Sequence, residues 1–265
     1  MREKEYLTLG SNKMKNILSI ETTGKYASAA VLAKDNDSVK INFKKSDKEM
    51  NHLVDLIEII DAAIEDAGIK IEDIDLVSPC IGPGSFTGIR IGVSTARALS
   101  QACNIGGIPV GTLRAMLEND IQRKMEQNHY VCTTIYARRN QTYAALWKVG
   151  SKGEIEEVLR QRQYMIDELL NLIAGIDDIK SNPLIFYGDG SDEYYDHISD
   201  VMNLSGIQFY LASQDIRYQN ARGLAYSALT MIEEGFQPVS YNELIPDYMR
   251  KTEAEMKLEQ EEDKC

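Results

Sequence analysis

The feature that most constrains this chain is the stretch Gly82-Pro83-Gly84-Ser85-Phe86-Thr87-Gly88-Ile89-Arg90-Ile91-Gly92. Before it, Ile74 to Ile81 is largely apolar, the pattern of a buried strand. After it, the residues to about Cys103 repeat at helical spacing. Glycines at a strand-to-helix turn permit positive φ and close approach of another backbone. The N-terminus of the following helix carries unpaired N–H groups and about half a positive charge, a ready anion site. A phosphate loop, however, needs Lys directly after its last glycine, and here Arg90 lies two residues beyond Gly88, between isoleucines. Two readings therefore stand, an anion cradle or a tight turn without ligand.

Gly88, Gly92 and Ala96 fall four residues apart, on one helical face. Each interior glycine costs a helix about 1 kcal/mol relative to alanine. That cost is tolerated where another backbone must come close, either from the same domain or from a second chain. A preceding helix, expected from Asn51 as N-cap to Ala67 with Gly68 beyond it, carries Leu53, Leu56, Ile57, Ile60, Ile64 and Ala67 at helical repeat. Val54 and Ile59 widen its apolar stripe beyond one sheet face, which points to a partner. The expected partner interface is thus Val54, Ile59, Gly88, Gly92 and Ala96, on two helices lying side by side.

The eleven-residue loop resembles the signature of the TsaB (YeaZ) family, bacterial proteins of tRNA threonylcarbamoyladenosine synthesis. The resemblance extends to Ile17-Leu18-Ser19-Ile20-Glu21-Thr22-Thr23, His52-Leu53, Pro109-Val110-Gly111-Thr112-Leu113, Gly188-Asp189-Gly190 and Pro246-Asp247-Tyr248-Met249-Arg250. It spans residues 15–250 and is strongest over 74–113. It implies an α/β fold of two ribonuclease-H-like units, the actin–sugar kinase–Hsp70 superfold. The expected layout is an extension at 1–14 and a first unit at 15–112, on which a helix at about 217–236 packs back. A second, smaller unit at 113–216 and a charged tail at 251–265 complete it.

Composition limits the chemistry. Of 265 residues, 43% are hydrophobic and 26% charged, enough apolar material for a sizeable core. The net charge of −12 is unlike that of a chain gripping a phosphate backbone by itself, so a partner should carry the RNA contact. Cys80, Cys103, Cys132 and Cys265 form no paired motif, and the first three sit in apolar surroundings, pointing to buried thiols. No apolar run approaches 18 residues, and residues 1–13 lack a signal peptide's apolar core, so a cytoplasmic protein without membrane contact is expected.

Along the chain, strands are expected at Asn16–Ile20 and Tyr26–Ala33, joined by a polar turn, then at Val39–Lys44 and Ile108–Val110. A helical pattern covers 113–127. Strands follow at Tyr130–Ala137, Thr142–Val149, the extended run 154–164, Leu184–Tyr187 and Ile207–Leu211. Helices are expected at Asp167–Ala174, from Ser191 as N-cap to about Met202, and at Ala221–Glu234. In the superfold the first turn faces nucleotide phosphates, so Glu21, Thr22 and Thr23 form a candidate nucleotide-facing hairpin. The alternative for Glu21 is a solvated turn residue. Family members carry an Asp-Ala-Arg sequence where this chain has Tyr136-Ala137-Arg138.

No H-E-x-x-H, G-x-S-x-G or Walker A sequence is present, and the three histidines are scattered. The related catalytic family, TsaD, places a metal-binding His-x-x-x-His after its own Gly-Pro-Gly helix. Through the shared Pro and Val, those positions fall on Thr112 and Met116. The resemblance therefore implies a non-catalytic scaffold or activating subunit with no metal and no cofactor, supporting formation of N6-threonylcarbamoyladenosine in tRNAs decoding ANN codons. It implies pairing with a TsaD-like catalytic subunit, a TsaE-like ATPase as further partner, a homodimer when alone, and tRNA met only through the complex. The alternative is a nucleotide-binding enzyme of kinase type, or a glycoprotease-like peptidase, using the Glu21 hairpin and the Gly82-Pro83-Gly84-Ser85-Phe86-Thr87-Gly88 loop.

Overall fold

The structure is a computed structural model and describes residues 15–35, 38–49 and 51–249. The expected extension, the charged tail with Cys265, Arg250 and the side chains of His52 and Leu53 lie outside the described residues.

Two sheets are wound in one pattern. In the first, β1 (Lys15–Glu21), β2 (Ser28–Asp35) and β3 (Ser38–Lys45) form an antiparallel meander. β4 (Leu76–Gly82) then pairs parallel to β1, and β5 (Gly106–Gly107) and β6 (Val110–Gly111) pair parallel to β4. The order is β3-β2-β1-β4-β5. In the second sheet, β7 (His129–Tyr136), β8 (Gln141–Val149) and β9 (Ile155–Met165) form the meander. β10 (Leu184–Tyr187) pairs parallel to β7, and β11 (Phe209–Leu211) to β10. The order β9-β8-β7-β10-β11 repeats the first winding strand for strand. A doubled unit of this kind is the ribonuclease-H-like pair of the actin–sugar kinase–Hsp70 superfold.

Helices cover both faces of each sheet. On the first sheet, α1 (His52–Ala67) and α2 (Phe86–Cys103) bury Leu56, Ile59, Ile60, Ala63, Ile64 and Ala96 against Leu18, Ile20, Ala29 and Val31. Gly68 ends α1 in the left-handed conformation, as its position beyond the helix leads one to expect. Asn51 stands at the start of α1, but its side chain makes no cap and its amide instead donates to Asp55. The opposite face is covered from far along the chain by α8 (Ala221–Glu233), whose Leu224, Ala225 and Ala228 meet Ile17, Ala30, Leu32 and Leu76. Asn220 caps α8, its side-chain oxygen accepting from Arg222 N at 3.0 Å and Gly223 N at 3.2 Å.

The second sheet buries one face under α4 (Ile166–Ala174) and α6 (Tyr195–Leu204). Its other face takes α3 (Thr112–Ile121), which directly follows the first sheet and packs Leu113, Met116 and Leu117 on Val131, Ile135, Ala145 and Trp147. Two short helices, α5 (Asp189–Glu193) and α7 (Gln214–Arg217), flank β10 and β11. Ser191 lies inside α5 rather than capping a helix; its hydroxyl donates back to Gly188 O at 2.6 Å. Cys80 and Cys132 are buried thiols and Cys103 is half-buried.

Candidate functional site

The site is built where the β1–β2 turn meets the glycine-rich loop, at the carboxyl end of β1 and β4. Glu21 ends β1 on the sheet face that holds Ile17, so its carboxylate is turned inward and fully buried. Its Oε1 accepts from Thr23 N at 2.5 Å and from the Thr23 hydroxyl at 2.6 Å. The reading of Glu21 as a solvated turn residue is therefore overturned. Thr22 is also buried and donates its hydroxyl to Gly88 O at 2.7 Å. Cys80 Sγ lies 3.1 Å from Thr112 Oγ1, which itself donates to Pro83 O at 2.6 Å. Burial, and next the Glu21 carboxylate, push the Cys80 thiol well above its usual range.

Two of the loop N–H groups are taken up by the chain itself. Ser85 N donates to Thr23 O at 2.9 Å, and Gly88 N to the Ser85 hydroxyl at 3.2 Å, the N-cap of α2. On the outer side, the segment 244–248 straps the loop. Asp247 N donates to Ile81 O at 2.9 Å, and the Tyr248 hydroxyl accepts from Arg90 Nε at 2.9 Å. The Arg90 guanidinium lies 3.8 Å from the centre of the Phe86 ring. These bonds hold the loop in a tight turn.

The expected interface row does not face outward. A Cβ on Gly88 would lie 1.9 Å from Thr22 O, and one on Gly92 2.4 Å from Thr22 Oγ1. Ala96 is fully buried in the first core. The backbone that approaches α2 is thus the chain's own hairpin. Ile59 is likewise core, because it shares the i, i+3, i+4 stripe with Leu56, Ile60 and Ala63. Of the five residues, Val54 alone is exposed, at 68%, joined one turn on by Ile57 at 55%. Sequence periodicity assigned Ile57 to the core and Ile59 to the surplus; the structure reverses the two. On α2 the outward positions include Arg90, Ser94 and Ala98.

Thr112 and Met116, the positions matched to metal ligands, are both fully buried. Among the described residues no group of three or more His, Cys, Asp or Glu is placed to hold a metal ion.

The second unit repeats the close approach at its own loop. A Cβ on Gly188, just after β10, would lie 1.8 Å from Thr134 O. Where the family pattern has an aspartate, Tyr136 N instead donates to the Asp189 carboxylate at 3.0 Å, so a carboxylate reaches this turn from α5. Burial raises the Asp189 pKa, and the donating N–H groups partly offset it.

Sequence reading missed a buried network at the end of α3. His129 Nε2 lies 2.6 Å from Asp120 Oδ2 and its Nδ1 3.0 Å from Gln127 O. The Tyr187 hydroxyl donates to Asp120 Oδ1 at 2.8 Å, and Arg123 pairs with the same oxygen at 3.1 Å. Both ring nitrogens of His129 face acceptors, which selects the doubly protonated imidazolium. Only the Asp120–Arg123 spacing of three on a helix could have signalled it.

Comparison with known proteins agrees with this geometry. The family TsaD, tRNA N6-adenosine threonylcarbamoyltransferase, matches residues 46–258. The tRNA threonylcarbamoyladenosine biosynthesis protein TsaB of Bacillus subtilis is 26% identical over 245 residues, spanning 91% of this chain and 96% of its own. The protein of the same description from Haemophilus influenzae is 24% identical over 179 residues, 67% of this chain and 73% of its own. Among solved structures, a Pseudomonas aeruginosa protein described as similar to peptidase YeaZ shares the fold. It has a TM-score of 0.70 at 18% identity, covering 89% of this chain and 100% of its own. The chain belongs to the TsaD-type threonylcarbamoyltransferase family and, within it, to the TsaB (YeaZ) proteins.

Proposed function

We propose that this chain is a non-catalytic subunit in the formation of N6-threonylcarbamoyladenosine in tRNA, and that it holds and activates a TsaD-like catalytic subunit. The observation that carries the reading is the fate of Thr112 and Met116. At these positions the scaffold is kept, but the side chains are buried, one bonded to Pro83 O and the other packed on the second sheet. The docking face is the outer side of α1 and α2, with Val54 and Ile57 exposed beside the small residues Ser94 and Ala98. A stable contact there buries on the order of 1,600 Å². A TsaE-like ATPase joins the complex, and a second copy takes the same face when no TsaD-like chain is present. The net charge of −12 leaves tRNA to the partner; alone, the chain binds tRNA at a non-specific strength of roughly 10⁻⁴–10⁻⁶ M or weaker. As a partner in tRNA modification the chain acts in the cytoplasm. No helix among the described residues is long and apolar enough to cross a membrane.

The test mixes the chain with the TsaD-like protein of its own organism and measures complex mass and tRNA modification. Modification should require both chains. Ile57→Ala should weaken association by roughly 5- to 150-fold, from about 1–3 kcal/mol of lost burial. Threonylcarbamoyl transfer or nucleotide hydrolysis by the lone chain would overturn the proposal, as would an equivalent of iron or zinc that survives dialysis.

A further inference from the structure

The two sheets have four outer edges, and three are guarded. Strand β3 carries Lys40, Lys44 and Lys45, and β9 carries Glu156, Glu157, Arg160 and Arg162. β5 is bridged by Val239. Charged side chains and covering segments of this kind keep edges from pairing with other chains. The fourth edge, β11, reads Phe209-Tyr210-Leu211 and has no charge at all.

Its free groups can be placed from the register. Leu184 N donates to Gln208 O, and Ala212 N to Phe186 O, so Gln208, Tyr210 and Ala212 turn their main chain toward β10. In a parallel ladder these groups alternate, leaving the N–H and C=O of Phe209 and Leu211 pointing away from the sheet. Beside them runs a groove of about 530 Å³, lined by Tyr195, Ser199 and Asn203 of α6 and by the three residues of β11. The α6 residues are four apart and form one row along the groove. Tyr195 and Tyr210 are nearly half exposed, at 45% and 48%, and the Tyr195 and Phe209 ring centres are 6.3 Å apart.

Charge identifies the occupant. From Asp189 through Ile216 the chain has six acidic residues and no Lys or Arg. The next basic residue, Arg217, is held by Asp192 at 2.5 Å. Asp196 and Asp200 are exposed and each follows a groove residue in sequence, so they line one rim. His197, on the same helix, is paired with Asp167. A second copy of this acidic chain would bring like charge to like.

We propose that β11 and α6 form a docking groove for an extended basic and apolar peptide segment of another protein. The segment adds a strand to β11, bonding Phe209 and Leu211 through its main chain. Its alternate side chains fall on one face. Lys or Arg side chains fall on the face that holds Phe209, Leu211 and α6, where they reach Asp196 and Asp200, while aliphatic ones fall on the opposite face beside Tyr210. The groove shares no residue with the α1–α2 surface, so the inference stands whether or not that surface binds a TsaD-like chain.

The test uses the full chain with three labelled hexapeptides, KVKLKV, EVELEV and the strand-breaking KVKPKV. KVKLKV should bind saturably and protect the Phe209 and Leu211 amides from hydrogen exchange. Its binding should weaken with salt, since the screening length falls from about 10 Å at 0.1 M to about 3 Å at 1 M. The other two peptides, and the Asp196→Lys/Asp200→Lys variant with KVKLKV, should bind at least about tenfold more weakly, at least about 1.4 kcal/mol. Leu211→Pro should abolish binding while leaving the fold intact, because the N–H it removes is outside the ladder. The proposal is overturned by absence of saturable binding up to about 1 mM, equal binding of KVKPKV, unchanged binding to the lysine variant, or protection elsewhere. A self-association that Leu211→Pro abolishes would also overturn it, by making the occupant a second copy.

Discussion

Replacing Gly88 with alanine tests whose backbone the small-residue row of α2 receives. In an isolated helix the change is stabilising by about 1 kcal/mol. Here the new methyl carbon would sit 1.9 Å from the Thr22 carbonyl oxygen, a separation that main-chain atoms must widen by more than 1 Å. Overpacking on that scale costs about 1–3 kcal/mol. Loss of the Thr22–Gly88 hydrogen bond, 2.7 Å in the native chain, adds about 0.5–1.5 kcal/mol. The helical gain offsets part of this, leaving a net destabilisation of about 1–3 kcal/mol, or a Tm lowered by about 3–10 °C in a chain of this size. Gly92→Ala should behave differently. Its methyl meets the Thr22 hydroxyl at 2.4 Å but the Thr22 Cβ at 3.6 Å, an ordinary contact. Thr22→Ala should therefore rescue Gly92→Ala, with a coupling of about 1 kcal/mol, and fail to rescue Gly88→Ala. The assays are thermal unfolding of the isolated chain and partner affinity of the folded fraction by calorimetry. An unchanged Tm with weakened association would refute the assignment to the chain's own hairpin. So would a Gly88→Ala protein more stable than its parent.

Two further outcomes follow from buried contacts. Burial alone would lower the His129 pKa, but its bonds to Asp120 and to Gln127 O raise it above the ordinary value. The resulting stability is present below about pH 6.5 and lost as pH climbs through the raised value. Urea midpoints at about pH 6 and pH 8.5 should fall further apart in the parent than in His129→Gln, and equal gaps would count against the imidazolium. Leu244 is fully buried and sits over Gly107, where a Cβ would lie 2.6 Å from it. Leu244→Ala should cost about 2–5 kcal/mol and open the strap to proteolysis within 236–249; undiminished protease resistance would show that the strap is held elsewhere.

Periodicity carried most of the architecture. The strands of both meanders, the limits of α1 and the loop at 82–88 follow from alternation, apolar runs and glycine placement, each a local signal. What escaped was non-local. The row of Gly88, Gly92 and Ala96 correctly announced that something comes close, yet spacing cannot say what, and Thr22 lies 66 residues before Gly88. Ile57 and Ile59 were interchanged because both sit on an apolar helix, where the choice of stripe depends on how the helix rolls on its sheet. Glu21 read as a turn residue because it ends a strand, and strand parity alone did not show how deeply that end is covered. The His129 network was invisible because Asp120, His129 and Tyr187 belong to three separate elements.

The cover of the first sheet comes late. Its α8 face stays bare until residues 221–233 have been made, although β1 and β2 are complete by residue 35. At a synthesis rate of about 5–20 residues per second, the interval is roughly ten to forty seconds. For that time Ile17, Ala30 and Leu32, joined by Leu76 once it is made, present an apolar surface to the cell. The nascent first half is therefore a natural client for a chaperone waiting near the ribosome. A chain released before α8 would leave an aggregation-prone fragment rather than a working half-protein.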